Sequence, residues 1–154
     1  MRENGPVIYQ KIDTPKGRIV KILLNRPDHG NRIDGEMWHD FMEAVDMASA
    51  DREARVVIFG GVGDDFCCGF DTGDPSVSLN ANEDGVVSFA DRRENTWEEV
   101  DTWLKIYNMR KPTICMTQGT VLGGGWLIAM SCDCICSADN AVFDNTEYAM
   151  NMSY

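Results

Sequence analysis

The pattern of apolar and polar positions opens with two short β-strands. Val7 to Ile12 and Arg18 to Leu24 are rich in β-branched and long apolar residues, and Pro15-Lys16-Gly17 between them is a turn sequence. We therefore expect a β-hairpin at the start of the chain.

A helical repeat follows the hairpin. Apolar residues recur there at the spacing of one helix face, at Trp38, Phe41, Met42, Val45 and Ala48. Aspartate is a favoured N-cap residue, so the pattern predicts a helix that begins after Asp34 and ends near Ala50.

The rest of the chain alternates strand and helix patterns. The apolar run 56–59 predicts a strand buried on both faces, and Thr113 to Met116 and Cys132 to Ser137 predict two more strands. A second helix is predicted from Asp91 to Asn108, with Trp97, Val100, Leu104 and Tyr107 on one face, and a short third helix from Trp126 to Ser131. This alternation predicts one α/β domain over residues 1–154. Between strand and helix, the irregular segment from Asp71 to Asp84 is expected to be mobile and able to act as a lid.

Charge narrows the class of partner. The chain has 14 Lys and Arg against 25 Asp and Glu, a net charge of −11, so it lacks the broad basic surface that nucleic acid requires. No apolar run is long enough to span a bilayer, and we expect a cytoplasmic protein without a membrane or nucleic-acid partner. Local cations such as Lys16, Arg26 and Arg32 can still hold a phosphate-bearing ligand.

The cysteines do not form a disulfide framework and are expected to be reduced. Cys132, Cys134 and Cys136 alternate along a predicted strand, so they share a face and raise the alternative of a metal site. Their spacing lacks a CxxC pair and no histidine lies near, so we favour buried strand packing and expect no metal.

Two glycine-bearing turns are the candidate chemical site. Residues 66–71 and 119–125 each follow a predicted buried strand, at the carboxyl edge where α/β sheets usually bind ligands. The second turn leads into a helix, whose first amides are unpaired and carry partial positive charge. Such amides suit a developing oxyanion, although either turn taken alone is also compatible with a simple tight turn.

These turns and three further segments resemble the crotonase superfamily, the enoyl-CoA hydratase/isomerase family, over nearly the whole chain. Leu24-Asn25-Arg26-Pro27 with Asn31 is similar to the family's LNRPxxxN start, and Val56 to Gly60 to its VVIxG strand. Phe66 to Asp71 resembles the FxxGxD loop, and Lys111-Pro112 with Gly119 and Gly123-Gly124-Gly125 resembles the KPxxxxxxGxxxGGG signature. Cys132-Asp133 followed by Ala138, Ala141 and Phe143 resembles the family stretch in which a Cys-Asp pair precedes two alanines and a phenylalanine.

The resemblance implies a crotonase-like spiral of ββα units that acts on acyl-CoA thioesters, with coenzyme A as part of the substrate and no separate cofactor. It implies an oxyanion hole made by the backbone amides of Phe70 and Gly124. The expected substrate-binding residues are Arg26, Asn31, Arg32, Cys68, Asp71, Thr72, Gly123 and Trp126. It also implies homotrimers or pairs of trimers, with the C-terminal helical trimerisation region beyond Tyr154 and absent from this chain.

The acid/base residues depart from the family pattern. Leu127 stands where the family's hydratases carry one glutamate, whereas Glu147 matches the position of the second. We expect Glu147 to be the acid/base, with a solvated loop carboxylate as the alternative reading and Asp144 and Tyr148 as neighbouring candidates.

One carboxylate suits double-bond isomerisation better than hydration, which uses two. Hydrolysis of a C–C bond next to the carbonyl, of the retro-Claisen type, and non-catalytic binding of a CoA ligand remain alternatives on the same scaffold. Of the two histidines, His29 lies where the family often has a basic residue near the CoA phosphates, and His39 is expected on a helix surface.

Overall fold

The computed structural model describes residues 5–74, residue 77 and residues 100–145. The strands are β1 (Val7–Thr14), β2 (Gly17–Leu24), β3 (Ala54–Gly61), β4 (Cys67–Cys68), β5 (Thr113–Thr117), β6 (Thr120–Leu122), β7 (Cys134–Ser137) and β8 (Val142–Asp144). The helices are α1 (Gly35–Ala50), α2 (described over residues 100–107) and α3 (Gly124–Met130), and a 3-10 turn covers Pro27–His29. The α/β class predicted from the sequence is confirmed.

The strands form two sheets. A five-stranded sheet has the order β1-β2-β3-β5-β7, in which β1 and β2 are antiparallel and the remaining pairs are parallel. A three-stranded parallel sheet has the order β4-β6-β8. The chain passes from β4 in the small sheet to β5 in the large sheet and then returns to the small sheet at β6. This alternation places the small sheet beside the large one.

The predicted hairpin is confirmed. Gly17 adopts a positive φ of 120°, and the Thr14 hydroxyl donates to the Gly17 carbonyl at 2.6 Å across the turn. Glycine takes this conformation without steric cost, which explains the tight connection between β1 and β2.

Helix α1 also begins and ends where predicted. The Asp34 carboxylate accepts a hydrogen bond from the Met37 backbone N–H at 2.8 Å, as an N-cap residue does. The buried face differs slightly from the prediction, because Met37 and Ala44 take the places expected for Trp38 and Met42; the buried residues are Met37, Phe41, Ala44, Val45 and Ala48. Trp38 is instead half-buried and lies against other aromatic rings.

Strand β3 is less buried than predicted. Val57 and Phe59 are fully buried, but Val56 and Ile58, on the opposite face, are half-buried. The first face lies in the main core, where the rings of Phe41 and Phe59 are 5.9 Å apart.

The prediction for the face of α2 was wrong. Leu104 and Tyr107 are 45% and 70% exposed, whereas Trp103 and Ile106 are buried. Trp103 packs edge-on against Trp38 at 5.3 Å between ring centroids, and this contact selects the buried face. Trp97, the start predicted at Asp91, and most of the expected lid segment lie outside the described residues.

The cysteines of β7 are not buried as predicted. Cys132 is half-buried and precedes the strand, and Cys134 and Cys136 are exposed. The reason is that β7 is the edge strand of the five-stranded sheet and pairs only with β5. Among the described residues, no helix is long and apolar enough to cross a membrane.

Candidate active site

The small parallel sheet brings the two glycine turns together. Cys67 pairs with Val121 and Cys68 with Leu122, so the next residues of each strand also lie side by side at the carboxyl edge. Gly69 has φ of 91°, and a Cβ there would lie 3.9 Å from the Cα of Gly123. The register therefore aligns Phe70 with Gly124 across two segments that are far apart in sequence.

Gly124 lies against two side chains. A Cβ at Gly124 would lie 2.9 Å from Cδ1 of Ile33 and 3.0 Å from Cε2 of Phe70. The next glycine is equally confined, since a Cβ at Gly125 would lie 2.9 Å from the carbonyl oxygen of Cys67. Glycine at these positions allows the start of α3 to approach β4 closely.

The orientation of the Phe70 amide follows from its neighbours. Ile33 forms a parallel bridge with Phe70, in which the Ile33 N–H donates to the Gly69 carbonyl at 2.9 Å and the Asp71 N–H donates to the Ile33 carbonyl at 2.8 Å. A trans peptide points its N–H opposite to its C=O. Because the Gly69 carbonyl faces Ile33, the Phe70 N–H points away from Ile33.

The Phe70 and Gly124 amides have no hydrogen-bond acceptor among the residues that the structure describes. Gly124 is the first residue of α3, so its N–H has no acceptor within the helix, and the N-cap residue Gly123 offers no side chain. Two backbone donors on neighbouring turns are thus left without an acceptor among the described residues.

Several residues predicted to bind substrate form an ion-pair network beside this site. Nη1 of Arg26 lies 3.0 Å from the Asp34 carboxylate and 3.4 Å from the Asp71 carboxylate, and it donates to the Arg32 carbonyl at 2.6 Å. In this structure Arg26 and Asp71 therefore contact each other and the loop backbone.

Asn31, also predicted to bind substrate, is buried and forms hydrogen bonds with the surrounding backbone. It is fully buried with a positive φ of 52°. Its side-chain oxygen accepts from the Arg26 N–H at 2.8 Å, and its amide donates to the carbonyls of Val62 and Asp65 at 2.9 and 2.8 Å. These bonds and its burial give Asn31 a role in holding the loop, and direct contact of Asn31 with substrate stays a prediction.

The remaining predicted contact residues lie around the turns at different depths. Arg32 and Thr72 are exposed, Cys68 and Trp126 are half-buried, and Gly123 is buried with its N–H donating to the Asp144 carbonyl at 3.3 Å. Both histidines are exposed, as expected for His39.

The cysteines of the first turn are held in the thiol form. Burial raises the pKa of Cys67 to about 12, and burial with the nearby charge of Asp65 raises the pKa of Cys68. A thiolate is the nucleophilic form, so neither residue is suited to covalent catalysis at neutral pH.

Asp65 is a supporting residue that the sequence reasoning missed. Its carboxylate accepts from the Thr120 N–H at 2.8 Å, and hydrogen bonds from the Thr120 hydroxyl and N–H lower the pKa of Asp65. This bond ties the segment before β4 to the start of β6. Nothing in the pattern around Asp64-Asp65 marks one of the two carboxylates for this role.

The third strand of the small sheet ends at the same edge. Asp144 pairs with Leu122, so β8 brings the chain to the glycine turns just before Glu147 in sequence. Leu127, at the position of the missing acid, is half-buried and packs against the core. Glu147 and Tyr148 lie outside the described residues.

The chain is similar in sequence to known proteins. The sequence model of the enoyl-CoA hydratase/isomerase family matches residues 14–152. A Mycobacterium tuberculosis protein assigned as an enoyl-CoA hydratase is 32% identical over 158 residues, covering 92% of this chain and 48% of its own length. The carnitinyl-CoA dehydratase of Proteus mirabilis is 30% identical over 131 residues, covering 84% of this chain and 46% of its own length.

The fold is also shared with solved structures. An enoyl-CoA hydratase/isomerase from Xanthobacter autotrophicus Py2 superposes with a TM-score of 0.76 at 30% identity, covering 93% of this chain and 49% of that one. The chain thus spans about half the length of the relatives it matches.

Proposed function

The chain belongs to the enoyl-CoA hydratase/isomerase family, and on that premise we propose that it processes an acyl-CoA thioester by stabilising an enolate. The thioester oxygen accepts hydrogen bonds from the Phe70 and Gly124 amides as negative charge develops on it. The substrate supplies coenzyme A, so no separate cofactor takes part in this proposal. By the same likeness, we propose a trimer or a pair of trimers as the assembly of the complete protein.

The observation that carries the proposal is that the Phe70 and Gly124 amides, just beyond the paired strands β4 and β6, have no acceptor among the described residues. The Cys68–Leu122 register supports a position of the two amides on adjacent segments, and the Ile33 bridge orients the Phe70 N–H away from Ile33. Preorganised donors in a site that excludes water stabilise the transition state, and loss of one costs about 2.7 to 4 kcal/mol in comparable sites. The donors are backbone groups, so the hole depends on the geometry of the two turns.

We propose Glu147 as the residue that moves the proton. The end of β8 at the glycine turns supports this assignment, because Glu147 follows Asp144 closely along the chain. Asp144 is exposed at the end of that strand and is the alternative carboxylate.

Leu127 favours isomerisation over hydration. Hydration needs two carboxylates to hold and activate a water molecule, and a packed leucine can do neither. Isomerisation needs one base that removes a proton from one carbon and returns it to another while the amides hold the dienolate. We therefore propose double-bond isomerisation as the reaction, with hydration, C–C bond hydrolysis and CoA binding without turnover as the alternatives that experiment must distinguish.

The deciding experiment measures exchange of the α-protons of a saturated acyl-CoA in D2O. A saturated chain has no double bond to move or hydrate, so exchange reports enolate formation alone. We expect exchange with the wild type, its loss in Glu147→Gln and its retention in the matched variant Asp144→Asn.

Other outcomes separate the alternatives. Absence of exchange in the wild type contradicts the proposed function, and calorimetric titration with coenzyme A then identifies or excludes a binding protein. Exchange that survives Glu147→Gln and disappears in Asp144→Asn would move the base to Asp144. An enolising protein that neither shifts nor hydrates the double bond of enoyl-CoA substrates, yet cleaves a β-dicarbonyl thioester, is a C–C hydrolase.

A further inference from the structure

We infer that Arg26 is a positioning residue that holds the Phe70 amide in its orientation, acting through Asp71 and Asp34. The inference rests on the proposed function, because it concerns the oxyanion hole. It gives Arg26 and Asp71 a structural role that differs from direct substrate binding, which the sequence resemblance implies and which stays a prediction.

The segment that carries the Phe70 amide contains a conformationally permissive residue. Gly69, which precedes Phe70, has φ of 91° and can rotate through conformations that other residues cannot adopt. Rotation of the Gly69–Phe70 peptide would swing the Phe70 N–H away from Gly124. Two hydrogen bonds oppose this rotation, one from the Ile33 N–H to the Gly69 carbonyl and one from the Asp71 N–H to the Ile33 carbonyl. The orientation of the Phe70 N–H therefore depends on the position of the Ile33 backbone.

Arg26 contacts both sides of that bridge. On one side its guanidinium donates to the Arg32 carbonyl at 2.6 Å and pairs with Asp34 at 3.0 Å, the two residues that flank Ile33. On the other side both terminal nitrogens lie 3.4 Å from the carboxylate of Asp71, the residue after Phe70. One planar cation therefore connects the neighbours of Ile33 to the neighbour of Phe70.

The charges are shielded from solvent. The side chains of Arg26, Asp34 and Asp71 are 19%, 20% and 26% exposed, so screening by salt and water is reduced. Asp34 also caps α1 through the Met37 N–H, which anchors the network to a helix. The planar fork of arginine can serve several acceptors at once, whereas lysine offers a point charge.

The test compares Arg26→Gln with a matched control, Arg18→Gln, near the opposite end of β2. Arg18 forms a similar network, with Asp13 at 2.7 Å, Asp51 at 2.9 Å and Glu53 at 2.9 Å, and its side chain is 18% exposed. Arg18→Gln should lower Tm and leave α-proton exchange unchanged. Arg26→Gln should lower kcat for exchange about tenfold to a hundredfold, the scale of a displaced catalytic group, while KM changes less than about twofold.

A spectroscopic signature separates positioning from general destabilisation. Bound acetoacetyl-CoA absorbs in the near ultraviolet as its enolate, so the enolate fraction reports the strength of the hole without turnover. We expect this fraction to fall in Arg26→Gln and in Asp71→Asn, to be partly restored in Arg26→Lys, and to be unaffected in Arg18→Gln. If Arg26→Gln does not fold, Arg26→Lys and Asp71→Asn carry the test.

Some results would overturn the inference. A folded Arg26→Gln protein with wild-type kcat, or with a change in KM alone, would show that Arg26 does not position the hole. If the wild type forms no enolate, the proposed function fails separately. In that case hydrogen exchange of the Ile33 and Asp71 amides decides whether Arg26 holds the segment. Selective loss of protection of these amides in Arg26→Gln supports the positioning role of Arg26. Protection equal to that in Arg18→Gln overturns it.

Discussion

The Phe70 ring lies against the backbone of Gly124, so closely that a methyl group at Gly124 would sit 3.0 Å from Cε2 of the ring. The same methyl group would lie 2.9 Å from Cδ1 of Ile33. The two residues proposed to donate to one oxygen are therefore also packing partners, and a change in one alters the other.

Gly124→Ala tests this dependence. The added methyl group must displace the Phe70 ring or the start of α3 by a few tenths of an ångström, which misaligns the donors. We expect a fall of about tenfold to a hundredfold in the rate of α-proton exchange with a folded protein. The control is Gly73→Ala, where a Cβ would lie 3.6 Å from the Asp71 carboxylate, an ordinary contact. Equal α-proton exchange rates in Gly124→Ala and Gly73→Ala would contradict the proposed dependence of the donors on close packing at Gly124.

Asn31→Ala should destabilise the protein by about 2 to 4 kcal/mol. The substitution removes three hydrogen bonds to backbone groups, each worth about 0.5 to 1.5 kcal/mol, and leaves alanine at a positive φ. Urea denaturation followed by circular dichroism measures the change. Asn31→Gly removes the same bonds without the backbone strain, so it should be the less destabilised of the two, and a loss below about 0.5 kcal/mol in both would contradict the role assigned to Asn31.

Asp65 should make stability depend on pH in acid. Hydrogen bonds from Thr120 lower the pKa of Asp65 in the folded state below its ordinary value of 3.8. A lowered folded pKa contributes stability above pH 3.8 that is lost as the pH falls through the folded pKa. We expect Asp65→Asn to flatten the acid limb of a plot of unfolding free energy against pH relative to the wild type. Parallel acid limbs in wild type and Asp65→Asn would refute this.

The cysteines should differ sharply in reactivity. Cys134 and Cys136 are exposed, whereas Cys67 and Cys115 are fully buried. Burial raises the pKa of Cys67 to about 12, so almost none of it is thiolate at pH 8. We expect iodoacetamide to modify Cys134 and Cys136 in the native protein and Cys67 only after denaturation, as measured by peptide mass spectrometry. Native labelling of Cys67 would contradict its burial.

Local sequence signals predicted the elements but not every face. The hairpin at Gly17 and the cap at Asp34 were predicted correctly, because turn and capping chemistry depend on neighbouring residues alone. The buried face of α2 was not, because the helix offers two apolar stripes and the contact between Trp103 and Trp38 chooses one. That choice is made by tertiary packing, which periodicity does not contain.

The candidate site was likewise predictable only in part from the sequence. The glycines of both turns were identifiable, because few other residues permit such close backbone approach. The structural contacts of Asn31 and Arg26 were not, because a polar residue in a turn can equally contact a ligand or stabilise the surrounding backbone. The hydrogen bonds from Asn31 to Val62 and Asp65, and the ion pair of Arg26 with Asp71, join residues far apart in sequence, so local sequence does not reveal them.

The two-residue pairing between β4 and β6 sets the relative position of the two glycine turns. Phe70 and Gly124 each lie two residues beyond the paired residues Cys68 and Leu122, so a shift of this register would shift both proposed donors. A single insertion between Cys68 and Phe70 would instead move one donor past the other. The number of residues between each paired position and its turn is thus the dimension on which the proposed donor pair depends.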